Sequence, residues 1–425
     1  MKFYRWELLL LLSLAFLFNQ ADRALFGILS NPIQADLHLT SEQMGLAATV
    51  LLAVLAILMP VTGWIGDRFN KKWIITFCLL FWSLSTMLTG LANGFLMLVL
   101  LRSVATGGGE SFYVPAAYPL LAAWHKKTRS IAFSIHQGAF YFGVISSGFL
   151  AGWIAQHFGG WRSAFYVYGI LGFLLGILFI FRLKGMPEET EQGGDLVPAE
   201  KPEPVEKPTP VQKPTVLETL RFFVTTPTVL LLTVGFSAIV FVNNGYMQWG
   251  PAFLSEKFQL DVTMAGWNSM FYHNSAAFIG ILLGGVVTDL FIQKFVRFRL
   301  VIQALALLLG APAIYFCGLA GSLATTCVAF AVFGIFRGLY ETNTHAAMFD
   351  VVPPVIRSSA VAFMSFVAFL IGSTSPYFLG LLADQYGKAA GLSYGFQLLG
   401  AVYFVGFLAV LAALLFTFKR DRIQE

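Results

Sequence analysis

Three groups of charged residues stand inside otherwise apolar stretches of this chain. They are Asp22 with Arg23, Arg102 with Glu110, and Arg337 with Glu341 and His345. A charge held at mid-bilayer depth is costly unless it is paired or faces a water-filled cavity, so such residues mark pathways through membranes. Burial disfavours the charged form of a carboxylate, and a neighbouring arginine favours it. A ligand that captures the arginine therefore frees the carboxylate to take a proton. Arginine also grips carboxylate ligands through two parallel hydrogen bonds. Arg23 and Arg102 are thus candidate anion ligands, and Asp22 and Glu110 are candidate proton-coupling groups. The plainer alternative is a set of structural ion pairs that lock helices together.

Other polar residues widen the candidate site. Arg337, Glu341 and His345 repeat every fourth position and form a stripe on one helix. That stripe is either an intrahelical salt bridge or a wall of a central cavity. Asn243, Asn244, Tyr246 and Gln248 interrupt an apolar stretch beside Gly245. Clustered amides suit hydroxyl recognition, and a helix break there would serve as a gate; helix-to-helix hydrogen bonding is the alternative. Gln137 and Asn274 add two further candidate ligands.

The elements that position these residues follow from composition. The chain of 425 residues is 57% hydrophobic and 12% charged, and its mean hydropathy is +0.73. Apolar runs of about 20 residues recur, each long enough to cross a bilayer. Backbone groups in lipid must be satisfied within the segment, which makes these runs helices. They are continuous rather than alternating, which argues against a β-barrel. Twelve spans are predicted, over 7–31, 43–65, 74–92, 95–123, 130–155, 162–182, 226–253, 265–291, 299–318, 322–349, 358–383 and 393–418. Lys2, Arg5, Arg68, Lys71, Lys72, Lys126, Lys127 and Arg129 fall in loops on one side of the first half. Lys294, Arg297, Arg299, Arg357, Lys419, Arg420 and Arg422 fall on the same side of the second. The other side holds Arg162, Lys257 and Lys388. By the positive-inside rule both termini are cytoplasmic. Compact loops suggest a bacterial inner membrane.

Cys78, Cys317 and Cys327 lie in apolar stretches, with neither a disulfide framework nor metal spacing. The histidines are scattered, and neither a zinc-protease nor a Walker A motif occurs. An enzyme, a bound cofactor, a metal site and a nucleic-acid partner are therefore not expected. Residues 186–215 are rich in proline, glutamate and lysine, a composition that cannot bury a core. They divide the chain into a first bundle (1–185), a flexible linker (186–220) and a second bundle (221–425). The halves echo one another: Gly107-x-x-Glu110 matches Gly338-x-x-Glu341, and Arg129-Ser-Ile-Ala matches Arg357-Ser-Ser-Ala. The expected fold is all-α and membrane-integral, with twelve transmembrane helices in two pseudo-symmetric six-helix bundles. A substrate site between such repeats is a known transporter plan.

The loop Gly63-Trp-Ile-Gly66-Asp67-Arg68-Phe-Asn-Lys71-Lys72 resembles the loop 2–3 motif of the major facilitator superfamily. The resemblance implies a gate in which Gly63 permits close helix packing while Asp67, Arg68, Lys71 and Lys72 pair at helix ends. Asn70 replaces the usual glycine. Asn19-Gln-Ala-Asp22-Arg23-Ala and Arg102…Glu110-Ser…Pro115 resemble both the anion:cation symporters, carriers of sugar acids and hexuronates, and the spinster-like carriers. That likeness implies proton coupling through Asp22 and Glu110 and a substrate network through Arg102. In those families the glutamate lies seven positions after the arginine; here it lies eight after, which overshoots one helix face by about 80°. Either Gly107-Gly108-Gly109 absorbs the extra residue as a bulge, or the two groups do not share a face. The leading expectation is a monomeric secondary active transporter that moves a small organic anion with protons, or with sodium. A lipid or lysolipid carrier and a neutral sugar transporter are the alternatives.

Overall fold

The computed structural model describes residues 3–187, 216–292, 295 and 297–423. Most of the proline-rich segment, with Lys2 and Lys294, lies outside them. Among the described residues, eleven helices are long and apolar enough to span a membrane. In chain order they are α1 (Tyr4–Ile28), α2 (Ser41–Arg68), α3 (Lys71–Thr89), α5 (Arg129–His157), α6 (Trp161–Arg182), α7 (Pro227–Phe258), α8 (Val262–Phe291), α9 (Phe298–Leu319), α10 (Leu323–Phe349), α11 and α12. Helix α11 has two pieces, Arg357–Gly372 and Ser375–Tyr386, and α12 starts at Lys388–Ala412. The twelfth crossing, α4 over 95–124, is built from short pieces.

Local chemistry sets several starts. Thr40 and Gln43 cap α2 reciprocally, as a capping box should. Asn70 Oδ1 accepts the Lys72 N–H at 3.0 Å and so caps α3. The departure from the usual glycine at this position thus has a structural use. Asp261 caps α8 through the Met264 N–H, and that bond holds its carboxyl below the usual range. The cap therefore contributes above the unfolded value of about 3.9 and is lost as pH falls through the lowered one.

The first six helices pack among themselves, and so do the last six. The main contacts that join the halves are α1 with α7, α2 with α11, and α5 with α8. All are tight at the end opposite the basic loops. A Cβ on Gly266 would lie 2.3 Å from the Gly148 carbonyl oxygen, and one on Gly45 would lie 2.2 Å from that of Pro376. These backbones touch because neither side has a side chain in the way. Polar bonds lock the same end. Asp384 accepts the Ser41 and Glu42 N–H groups at 2.9 and 2.7 Å, so it caps α2 from across the interface. Gln156 bridges Asp261 and Thr263.

The basic end differs. A Cβ on Gly63 would meet nothing within 4 Å. The close packing expected at Gly63 is thus not made in this conformation. Arg68 stacks on Trp64 at 3.9 Å and Lys72 on Trp73 at 4.9 Å. Asp67 is exposed and forms no ion pair among the described residues. The halves are closed at the far end and parted at the basic end. Asp384→Ala removes two charge-assisted caps that hold only this state. It is expected to shift the equilibrium toward far-end opening by about 1–2 kcal/mol, roughly 5- to 30-fold. Spin-label distances between the far ends of α2 and α11 measure that shift.

Candidate functional site

A cavity of about 340 Å³ lies between the halves, within the usual size of a small-molecule site. Helices α1, α2, α4 and α5 line it from one half, and α7, α10 and α11 from the other. The polar lining is Gln20, Arg23, Arg102, Gln137, Asn243, Asn244, Gln248, Arg337 and Glu341. Phe16, Phe26, Phe140, Ile239 and Phe369 are among the apolar groups between them.

Two crossed ion pairs join α1 to α4. Asp22 takes Arg102, and Arg23 takes Glu110. Arg102 Nη1 donates to Asp22 Oδ1 at 3.1 Å, and Nη2 donates to the Asp22 carbonyl at 2.7 Å. Thr86 Oγ1 on α3 donates to the other Asp22 oxygen at 2.7 Å. Arg23 Nε donates to Glu110 Oε2 at 2.6 Å. The remaining Glu110 oxygen is buried without a partner. Adjacent residues on α1 point about 100° apart, so they need partners that also diverge on α4. The eight-residue spacing supplies that divergence. Part of α4 is a wide-turned π stretch, Val99–Ala105, in which both the N–H and the Oγ1 of Thr106 reach back to the Leu101 carbonyl. The expected bulge thus lies at the arginine and not at Gly107-Gly108-Gly109. Asp22 and Glu110 stand behind the arginines, off the cavity lining.

The second half contributes a different cluster. Arg337 Nη1 lies 3.0 Å from His273 Nε2, and Nη2 lies 3.4 Å from Glu341. The ring nitrogen must accept here, because a guanidinium only donates. His273 is stacked on Phe333 at 4.8 Å and is wholly buried. The Arg337–Glu341 stripe faces the cavity as the sequence suggests, but His345 does not line it. Eight steps along a helix rotate it away, by the same arithmetic that separates Arg102 from Glu110.

Helix α7 runs unbroken from Pro227 to Phe258, which corrects the expected interruption at its amides. Asn243, Asn244 and Gln248 still face the cavity, and each has a buried amide atom without a partner. Tyr246 points the other way and donates to the Ser269 carbonyl at 2.5 Å. Gln137 lines the cavity. Asn274 does not; its amide is turned back on the Met270 carbonyl at 2.8 Å. Sequence reasoning missed Thr86, Gln20 and the role of His273, since nothing in one sequence says which helix faces they occupy. The three cysteines are free and buried.

Two helical bundles around one charged central cavity define a membrane transporter. The Major Facilitator Superfamily profile matches residues 12–320 and 253–424, and the chain belongs to that superfamily. It is 28% identical to the hexuronate transporter of Bacillus subtilis (strain 168) over 417 residues, 95% of this chain and 93% of the relative. It is also 28% identical to protein spinster homolog 1 of Xenopus tropicalis over 415 residues, 91% of this chain and 74% of the relative. Its fold matches the crystal structure of a bacterial homolog of the lysosomal transporter spinster, in an inward-facing and unoccupied conformation. The TM-score is 0.81 at 22% identity, covering 100% of this chain and 99% of that one.

Proposed function

We propose that the chain is a proton-coupled symporter of small organic anions that carry a carboxylate, such as sugar acids or hexuronates. The observation that carries this reading is the Arg23–Glu110 pair, in which the arginine reaches the cavity and the glutamate does not. A substrate carboxylate entering the cavity competes for Arg23. Glu110, whose side chain is 0% exposed, then loses its counter-ion. An unpaired buried carboxylate is neutralised rather than left charged, so Glu110 takes a proton.

Charge counting points the same way. Three arginines and three carboxylates surround the cavity, namely Arg23, Arg102 and Arg337 with Asp22, Glu110 and Glu341. They sum to zero when ionised. A monoanion alone would leave a net charge in the membrane, and one proton cancels it. The Asp22–Arg102 pair is the fixed part, because its guanidinium is bonded to Asp22 and 1% exposed. Asn243, Asn244 and Gln248 offer free amide atoms to hydroxyls. The similarity to a hexuronate transporter supports this class. The loading of the basic residues supports cytoplasmic termini in a bacterial inner membrane. Access alternates as the far-end contacts open and the Gly63–Lys72 gate closes.

A second reading is a lipid or lysolipid carrier. The run of apolar lining residues and the similarity to spinster homolog 1 favour it. Uptake assays on liposomes containing the full chain separate the two. Sugar acids and hexuronates are expected to be taken up, and lysolipids not. Uptake of a lysolipid alone would overturn the anion reading.

A further inference from the structure

The two glutamate–arginine pairs that reach the cavity are oriented oppositely. In the first half the arginine is on view: Arg23 is 31% exposed and Glu110 0%. In the second half the carboxylate is on view: Glu341 is 38% exposed and Arg337 6%. Arg337 is drawn back by His273 on α8, at 3.0 Å. Glu341 Oε2 is buried and turned to Arg337, at 3.4 Å and without a hydrogen bond. The exposed part of the side chain is therefore on the cavity side. Arg102 lines the cavity as well, but its guanidinium is committed to Asp22. The cavity thus has a cationic pole at Arg23, from α1, and an anionic pole at Glu341, from α10.

We infer that Glu341 sets the substrate class: the site takes a carboxylate at the Arg23 pole and hydroxyl groups, not a second carboxylate, at the Glu341 pole. This rests on the anion reading proposed above. An ionised carboxylate only accepts hydrogen bonds. Hydroxyls donate to it, and the amides of Asn243, Asn244 and Gln248 from the same half complete their partners. A second carboxylate meets like charge across a cavity of about 340 Å³, and such juxtaposition suppresses wrong ligands. The preferred substrates are polyhydroxy monocarboxylates, and dicarboxylates of the same length are excluded.

The test uses the full chain in liposomes and three six-carbon probes. Labelled glucuronate uptake is competed with unlabelled gluconate, glucuronate and glucarate. Wild-type protein is expected to bind glucarate at least about tenfold more weakly than gluconate. E341Q keeps the shape and removes the charge, and the gluconate-to-glucarate ratio is expected to shrink to within about threefold. E341D keeps the charge and is expected to keep the discrimination. The ratio is read instead of the rate, so partial loss of activity does not obscure it. Equal competition by glucarate and gluconate in wild-type protein overturns the inference and leaves anion transport standing. So does a ratio that E341Q leaves unchanged. If no sugar acid is taken up or competes, the anion reading fails and this inference falls with it.

Discussion

Glu110→Gln is expected to abolish uphill accumulation of substrate. The change keeps the size of the side chain and an oxygen that can accept from Arg23, but it removes both the charge and the proton site. Glu110 is 0% exposed with one oxygen bonded to Arg23 and the other free. The substitution therefore leaves packing nearly intact and acts on coupling. A monoanion that moves with one proton carries no net charge. The membrane potential, about 2.3 kcal/mol per charge per 100 mV, then does no work on it. Only the pH gradient drives accumulation, at roughly tenfold per pH unit, or about 1.4 kcal/mol. In liposomes with an imposed gradient of one unit, wild-type protein should approach that ratio. The glutamine variant should stop near one, whatever rate remains. The final ratio is a thermodynamic readout, so slower transport does not mimic lost coupling. A variant that still accumulates substrate would return Glu110 to the role of a structural ion pair.

Arg102→Ala is expected to cause the largest loss of stability. It strands Asp22, 3% exposed, with only the Thr86 hydroxyl for a partner. Breaking a buried pair by removing one member costs about 3–5 kcal/mol, because the other charge stays buried. Arg102→Lys should be almost as harmful. A single ammonium cannot place two rigid donors on the Asp22 carboxylate and its carbonyl together. Combining Arg102→Leu with Asp22→Asn removes both charges and is expected to recover most of the lost thermal stability in detergent. Transport should stay lost in the double variant, because Arg102 lines the cavity. Thermal unfolding of wild type, Arg102→Leu, Asp22→Asn and the double variant measures the coupling between the two sites. An Arg102→Ala protein as stable as wild type would mean that Asp22 is not charged in the folded state.

Much of this was legible in the sequence because lipid imposes strict rules on it. Apolar run length alone located the spans, and charges that break those runs marked Asp22, Arg23, Arg102, Glu110, Arg337 and Glu341. The resemblance of the Gly63–Lys72 loop led to the superfamily that the profile match shows. Choice of partner was not legible. Asp22 could pair with Arg23 or with Arg102, and only the rotation of α4, set by its π stretch, decides for Arg102. His273 and Asn274 are neighbours in sequence. A helix turn of about 100° sends one to Arg337 and the other back onto its own backbone. The amides of α7 suggested a break, yet an α-helix accommodates them when a cavity takes their side chains. The far-end latch at Asp384 was equally hidden, since its partners are backbone N–H groups some 340 residues away.

In the proposed cycle, anion and proton move together. The most direct measurement uses liposomes that hold the full chain and an internal pH-sensitive dye, with glucuronate added outside and no initial pH gradient. The lumen is expected to acidify as labelled glucuronate enters, with one proton per anion and no dependence on membrane potential. Entry of glucuronate with no change in internal pH would contradict that cycle.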